Sequence, residues 1–103
     1  MVINRLEKLK EMAAQKPDDP FLQYAIAQEY GATGQLPEAL AIYQTLLDKQ
    51  PDYLPTYYQL GKLYEELGQF GDAQRAYEQG MIIAQQQGNM KTLGELRAAL
   101  EEM

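Results

Sequence analysis

The sequence predicts an all-α protein built from antiparallel helix pairs. The first observation is an internal repeat, because residues 17–50 align with residues 51–84 at an offset of 34 positions without a gap. The second is that apolar residues within each copy recur with the i, i+3, i+4, i+7 spacing of one buried helix face. The third is that glycine and proline stand where these patterns stop. Each copy therefore reads as two helices, which a short link forces to lie antiparallel.

The identical positions of the two copies fall at turns and at helically spaced apolar sites, where packing is strict. There are eight such pairs: Pro17/Pro51, Asp18/Asp52, Tyr24/Tyr58, Tyr30/Tyr64, Gly34/Gly68, Gln35/Gln69, Ala39/Ala73 and Tyr43/Tyr77. Tyr30/Tyr64 and Tyr43/Tyr77 are expected to be aromatic residues that pack the repeats.

The first helix of each copy has recognisable end signals. Asp19 suits an N-cap and Pro20 the first helical position, since proline lacks only an N–H that is unpaired there anyway. Gly34 and Gly68 suit the left-handed position that follows a helix. The apolar stripe is expected to contain Leu22, Ile26, Tyr30 and Thr33 in the first copy, and Tyr57, Leu60, Leu63, Tyr64 and Leu67 in the second.

The second helices and the flanking segments follow the same register. Gln50-Pro51 ends one second helix, because proline disfavours helical backbone in the preceding residue. No proline stands at Gln85, so the other second helix is expected to run on to Gly88. Residues 2–16 match a second helix and residues 88–103 a first helix. We therefore expect six helices: a half unit at 2–16, repeats at 17–50 and 51–84, and a capping helix at 88–103.

A 34-residue helix–turn–helix unit of this kind resembles the tetratricopeptide repeat (TPR). The second copy supplies the family pattern at Tyr57, Leu60, Gly61, Tyr64, Gly68, Phe70, Ala73, Tyr77 and Gly80. The first copy departs from it with Gln23 at a large position and Leu46 at a small one, and Gln85 replaces the closing proline of the second. The resemblance implies a single domain over 1–103, folded as a right-handed superhelical α-solenoid. It implies little about chemistry, because the family's members mostly bind proteins or peptides.

Composition argues against catalysis. The sequence contains no histidine, cysteine or serine, so the usual nucleophile–base arrangements and most transition-metal sites cannot be built. The acidic pairs Asp18-Asp19 and Glu65-Glu66 are better explained by helix capping and by solvent exposure. The glycine-rich "GQFGDA" lacks the preceding strand of a phosphate loop. We expect no enzyme activity, no cofactor and no metal.

Charge and hydropathy restrict the partners. Nine basic and fifteen acidic residues give a net charge of −6, which makes nucleic acid a poor ligand. The basic residues near the N-terminus are interspersed with glutamates and read as a solvated helix face. No apolar run is long enough to span a membrane, and "MVINRLEKLK" does not resemble a secretory signal. A cytoplasmic protein with no nucleic-acid or membrane partner is the expectation.

The candidate binding residues lie on the side that lines the inner, concave curve in the TPR family. Aromatic and polar groups alternate there, which suits a peptide; the residues are Phe21, Tyr24, Gln28, Tyr58, Lys62 and Glu65. The alternative is that Tyr24 and Tyr58 only pack between adjacent units. The carboxylate-binding activity of some family members is disfavoured, since Tyr24, Gln28 and Gln59 occupy the matching positions.

Two functions follow. The leading hypothesis is a non-catalytic protein–protein interaction module, or scaffold, that binds a neutral or basic peptide or protein segment on the concave face. The alternative is structural self-assembly, in which an end helix pairs between chains to give a homodimer. Gly61, inside a helix, is interpreted as a point of close helix approach, with Ala73 of the following helix as its expected neighbour and Ala27 as its equivalent one repeat earlier.

Overall fold

The computed structural model describes residues 4–103 of the chain, and these residues form six α-helices without any strand. The all-α prediction and the predicted number of helices are confirmed. Positions 2 and 3 of the predicted 2–16 segment lie outside the described residues. The helices are α1 (Arg5–Gln15), α2 (Pro20–Ala32), α3 (Leu36–Lys49), α4 (Pro55–Glu66), α5 (Phe70–Gln87) and α6 (Met90–Glu101).

The chain divides into two compact units. One ends at Pro51 and contains α1 to α3, and the other runs from Asp52 to Met103 and contains α4 to α6. Neighbouring helices within a unit are antiparallel. In the second unit, for example, Gly61 of α4 lies against Tyr77 of α5, whereas the earlier Tyr57 lies against the later Gly80.

The ends of the helices follow the local sequence signals. The Asp19 side chain accepts a hydrogen bond of 3.0 Å from the backbone N–H of Phe21, with Pro20 in the first turn, as a helix N-cap requires. Gly34 and Gly68 have φ angles of +79° and +74°, a left-handed conformation that glycine adopts without a steric penalty. The long second helix ends as predicted, with Gly88 following α5.

One core cluster of the first unit forms where α1 and α2 face each other. Its buried members are small and branched apolar side chains with a few partly buried residues at the edge: Leu9, Ala13, Leu22, Ala25 and Ile26, with Leu6, Tyr30 and Ile42 packed around them. Thr33, which was expected on the stripe of α2, instead follows the helix as its C-cap.

The core of the second unit is organised by two glycines. A Cβ atom added at Gly61 would lie 2.2 Å from the ring of Tyr77, so the close approach predicted there is confirmed. The three nearest atoms belong to Tyr77 and not to Ala73, the neighbour that was expected, because an aromatic ring reaches further across the helix pair than a methyl group. At Gly80, a Cβ atom would lie 2.6 Å from Cβ of Tyr57.

Candidate functional site

Three of the predicted binding residues share one side of α2. Phe21, Tyr24 and Gln28 recur at helical spacing, and we call them the α2 face. The side chain of Phe21 is 58% exposed, while Tyr24 is half-buried. The Nε2 of Gln28 donates a hydrogen bond of 3.3 Å to the hydroxyl of Tyr24. The face therefore presents aromatic surface beside an exposed amide.

Tyr24 is supported from behind by a buried tyrosine of α3. Its ring centroid lies 6.2 Å from that of Tyr43, with the two planes tilted by 59°, within the range of favourable aromatic pairs. Burial, and then the neighbouring Tyr24, raise the pKa of Tyr43 above its usual range. Tyr43 consequently stays neutral and acts as a fixed support for the half-buried ring of Tyr24.

The other three predicted residues share one side of α4. We call Tyr58, Lys62 and Glu65 the α4 face. The Nζ of Lys62 lies 5.5 Å from the centroid of the Tyr58 ring, which is within cation–π range. The same Nζ lies 3.9 Å from Oε2 of Glu65. The α4 face thus carries one positive and one negative charge beside an aromatic ring.

Glu65 and Tyr58 are both held by Tyr77 of α5. The hydroxyl of Tyr77 donates a hydrogen bond to Oε2 of Glu65, and its ring centroid lies 6.3 Å from that of Tyr58. Burial raises the pKa of Tyr77, and the hydrogen bond to Glu65 and the charge of Glu65 add to the effect. Tyr77 therefore remains a proton donor, which fixes the position of the Glu65 carboxylate.

The α2 and α4 faces differ in charge at two positions of the repeat, because Gln28 on α2 corresponds to Lys62 on α4 and Gly31 corresponds to Glu65. Gly31 occupies the place on α2 that Glu65 occupies on α4, 34 residues later. A side chain added at Gly31 would meet no atom within 4 Å of its Cβ. The α2 face is thus uncharged and open at this end, whereas the α4 face is charged and closed there by the Glu65–Tyr77 hydrogen bond.

Comparison with known proteins decides the family. The family model described as tetratricopeptide repeat matches residues 32–100, which is most of the chain and covers α3 to α6 almost completely. The chain belongs to the tetratricopeptide repeat family. The TPR resemblance drawn from the sequence is therefore confirmed.

Individual known proteins are similar to the chain over most of its length. A tetratricopeptide repeat domain protein from Salinibacter ruber, solved by NMR, is 44% identical, with a TM-score of 0.80 over 84% of this chain and 87% of that one. A Bordetella parapertussis protein is 29% identical, with a TM-score of 0.84 over 98% and 88%. A TPR repeat-containing protein of Pseudomonas aeruginosa is 26% identical over 95% of this chain and 93% of its own.

Membership of the TPR family bears on function at a coarse level. The TPR fold commonly mediates protein–protein interaction, and the family is generally a non-catalytic scaffold. Between residues 4 and 103, no helix combines the length and apolarity needed to cross a membrane. Over the same residues, no group of three or more acidic side chains is arranged to hold a metal ion.

Sequence reasoning missed the role of Tyr43 and Tyr77, which it treated only as residues that pack the repeats. A signal was present in the TPR register, because Tyr24 precedes Tyr43 by the same 19 positions that separate Tyr58 from Tyr77. The repeated spacing could have indicated two ring pairs. Each pair contains one tyrosine on the candidate face and one buried tyrosine behind it.

The first TPR unit also contains a cavity of about 710 Å³ between the start of α2 and the end of α3. Gln23, Ile42 and Leu46 are among its lining residues. At its rim, Nε2 of Gln50 donates a hydrogen bond of 3.0 Å to the carbonyl oxygen of Asp18. Gln23, a medium-sized polar residue where the TPR pattern has a large one, thus stands at the cavity.

Proposed function

We propose that this chain is a non-catalytic interaction module that binds a peptide or protein segment through its α2 and α4 faces. The observation that carries the proposal is that each face presents a tyrosine whose ring is supported by a second, buried tyrosine. A ring that is already fixed loses little conformational entropy when a ligand covers it. Rigid aromatic side chains of this kind are frequent anchors in protein interfaces.

The polar groups of the faces suit the backbone and side chains of a peptide. Gln28 is exposed on the α2 face, and its amide offers both donors and an acceptor. On the α4 face, the charges of Lys62 and Glu65 offset each other at 3.9 Å. Neither face therefore concentrates one sign of charge. Because the whole chain carries a net charge of −6, a neutral or basic segment is the proposed ligand.

The proposal includes the absence of catalysis. Its basis is composition, because the sequence contains no histidine, cysteine or serine from which a nucleophile and its base are usually built. The carboxylate that remains on the α4 face, Glu65, is occupied by Tyr77 and Lys62. These contacts fix the position of the Glu65 carboxylate on the α4 face.

The test compares matched aromatic substitutions. A partner captured from native lysate supplies the ligand, and its affinity for each purified variant is then measured by calorimetry. Phe21→Ala, Tyr24→Ala and Tyr58→Ala are each expected to weaken binding by tenfold or more. Phe70→Ala is the control, because Phe70 is also 58% exposed but lies at the start of α5, outside both faces.

Circular dichroism melts keep loss of binding apart from loss of folding, since Tyr24 and Tyr58 also contact buried rings. The double variant Tyr24→Ala/Tyr58→Ala is the decisive one. If it folds and retains the affinity of the wild type, the two faces are not the binding surface.

A further inference from the structure

A second surface, separate from the α2 and α4 faces, lies on α6. The sequence "LGELRAAL" of α6 (residues 93–100) repeats the "LGKLYEEL" of α4 (residues 60–67) at an offset of 33 positions. Gly94 therefore corresponds to Gly61, and Met90 corresponds to Tyr57. Met90, Leu93, Gly94 and Arg97 recur at helical spacing along one side of α6, and we call them the open stripe.

The equivalent stripe of α4 is covered by α5. Tyr57 is only 2% exposed, and the Tyr77 ring lies against Gly61. On α6, Met90 is 57% exposed, and a Cβ atom added at Gly94 would meet nothing within 4 Å. α5 packs instead against another side of α6, where Leu96 is fully buried. No helix within residues 4–103 covers the open stripe.

The glycine on the open stripe has a cost that the rest of the structure does not explain. A glycine inside a helix destabilises it by roughly 0.5–1 kcal/mol relative to alanine. At Gly61 the contact with the Tyr77 ring explains the glycine, because any larger residue would collide with that ring. At Gly94 no contact in the described residues requires the absence of a side chain. A partner that approaches closely at this point would account for the glycine.

We propose that the open stripe is a self-association surface, on which α6 packs antiparallel against α6 of a second copy of this chain. The α4–α5 pair shows the contact that such a stripe makes. In that pair a large residue lies on a glycine twice, Tyr77 on Gly61 and Tyr57 on Gly80. α6 carries both parts on one helix, with the large Met90 four positions before Gly94. A two-fold axis therefore places each Met90 on the Gly94 of the other copy.

Charge supports the same pairing. With Met90 on Gly94 of the other copy, the antiparallel register brings Leu93 of both copies together and places Lys91 beside Glu95 of the partner. Both charged residues are exposed and lie on the same flank of α6. The two-fold axis generates this opposite-charge contact twice, so α6 is complementary to itself in shape and in charge.

The size of the stripe predicts a weak, reversible dimer. Four residues on one helix bury much less surface than the roughly 1,200–2,000 Å² of a standard stable interface. A dissociation constant between about 10 µM and 1 mM is expected. The inference goes beyond the proposed peptide binding, because α6 contains none of the residues of the α2 and α4 faces.

The first experiment measures mass against concentration for the whole chain by sedimentation velocity, from about 10 µM to 1 mM. The wild type is expected to shift from monomer to dimer over this range. Gly94→Gln is expected to raise the dissociation constant at least tenfold while keeping or raising the melting temperature of the monomer. Gly71→Gln is the matched control, because Gly71 lies near the start of α5, where an added Cβ would meet only Arg75 at 3.8 Å.

The second experiment tests the antiparallel register through charge. Lys91→Glu and Glu95→Lys are each expected to remain monomeric, because each places like charges across the axis. An equimolar mixture of the two variants is expected to form a heterodimer, since every contact across the axis is then between opposite charges. Isotope labelling of one variant confirms by NMR that shift changes on mixing are confined to α6.

Each contrary result overturns the proposal. If the wild-type chain is still monomeric at 1 mM, the open stripe does not mediate self-association. It then contacts either a helix of another protein or solvent. A dimer that Gly94→Gln does not weaken uses a different surface. If the wild type dimerises but the equimolar mixture does not, the register of α6 against α6 is wrong.

Discussion

The helix pairs α2–α3 and α4–α5 share a register but distribute large and small residues in opposite ways. In α4–α5 the large residue is on the first helix, where Tyr57 lies against Gly80 of the second. The equivalent positions of α2–α3 hold Gln23 and Leu46, so the larger apolar residue has moved to the second helix. The two departures from the TPR pattern in the first copy therefore fall at the two positions that meet in α4–α5.

The two pairs also differ in burial and in hydrogen bonding. Gln23 is half-buried and borders the cavity of about 710 Å³, whereas Tyr57 is buried. A buried tyrosine supports the candidate face in both pairs, but only Tyr77 donates to a carboxylate, because Gly31 replaces Glu65 in the first pair. Single side-chain substitutions are therefore expected to lower the free energy of unfolding more in α4–α5 than in α2–α3.

The largest effect is expected where the two pairs differ most. Tyr57→Ala should lower the free energy of unfolding by about 3–5 kcal/mol, because it removes a buried aromatic ring and leaves a cavity against Gly80. Gln23→Ala, at the equivalent position, should cost less than about 1 kcal/mol, because its side chain borders solvent-accessible space. Urea denaturation followed by circular dichroism measures both. Equal losses at the two positions would remove the distinction between the pairs.

The next effect concerns the glycine at the helix contact. Gly61→Leu should destabilise by roughly 1–3 kcal/mol through overpacking, since a Cβ atom there would lie 2.2 Å from the Tyr77 ring. Gly31→Leu provides the contrast in α2, where the added Cβ meets nothing within 4 Å. It should leave stability unchanged or raise it by up to about 1 kcal/mol through helix propensity. Thermal melts that show the same change for both variants would refute the proposed contact.

The hydroxyl of Tyr77 is the third point of comparison. Tyr77→Phe should cost about 1–2 kcal/mol, because it removes the hydrogen bond to the half-buried Glu65 carboxylate. Tyr43→Phe should cost less than about 1 kcal/mol, since no carboxylate stands at the Gly31 position. Chemical denaturation of both variants at pH 7 tests the difference. A larger loss for Tyr43→Phe would show that the first pair depends on a hydroxyl contact as well.

At one position the α4–α5 pair buries a polar group where the α2–α3 pair has an apolar residue. Thr56 is fully buried, and its Oγ1 has no hydrogen-bond partner among the described residues, whereas the equivalent residue of α2 is Leu22. Thr56→Val should therefore raise the free energy of unfolding by about 1 kcal/mol. Thr45→Val is the control, because Thr45 is exposed and its hydroxyl donates to the carbonyl oxygen of Ala41 at 3.0 Å. A gain in both variants would point to propensity instead of burial.

The smallest effect is a loss of stability in alkaline solution. Burial raises the pKa values of Tyr43, Tyr57 and Tyr77 above their ordinary range. A raised folded-state pKa means that the stabilisation is fully present below the unfolded pKa near 10 and is lost as pH rises towards the folded pKa. The free energy of unfolding, measured by urea denaturation, should be lower at pH 10 than at pH 8 by on the order of a few tenths of a kcal/mol per tyrosine. A midpoint that rises between these pH values would contradict the predicted sign.

Part of the candidate site could be predicted because helical periodicity places residues on faces. The membership of the α2 and α4 faces follows from spacing along each helix, without knowledge of any neighbour. The support of these faces could not be predicted in the same way, because it depends on contacts between helices. Side-chain length and helix separation decide whether Tyr77 reaches Glu65. They also decide which residue of α5 lies nearest to Gly61.

The sequence by itself determined the 34-residue period, the six helices and the signals that end them, since these depend on backbone preferences of Asp19, Pro20, Gly34 and Gly68 that act over a few residues. Only the tertiary structure decided which positions carry a large side chain into a neighbouring helix and which receive it. The physical reason is that packing constrains pairs of residues far apart in the chain. The equivalent residues Gly61 and Gly94 illustrate this, because the Tyr77 ring lies against Gly61 whereas nothing lies within 4 Å of a Cβ atom added at Gly94. No local sequence signal separates the two positions.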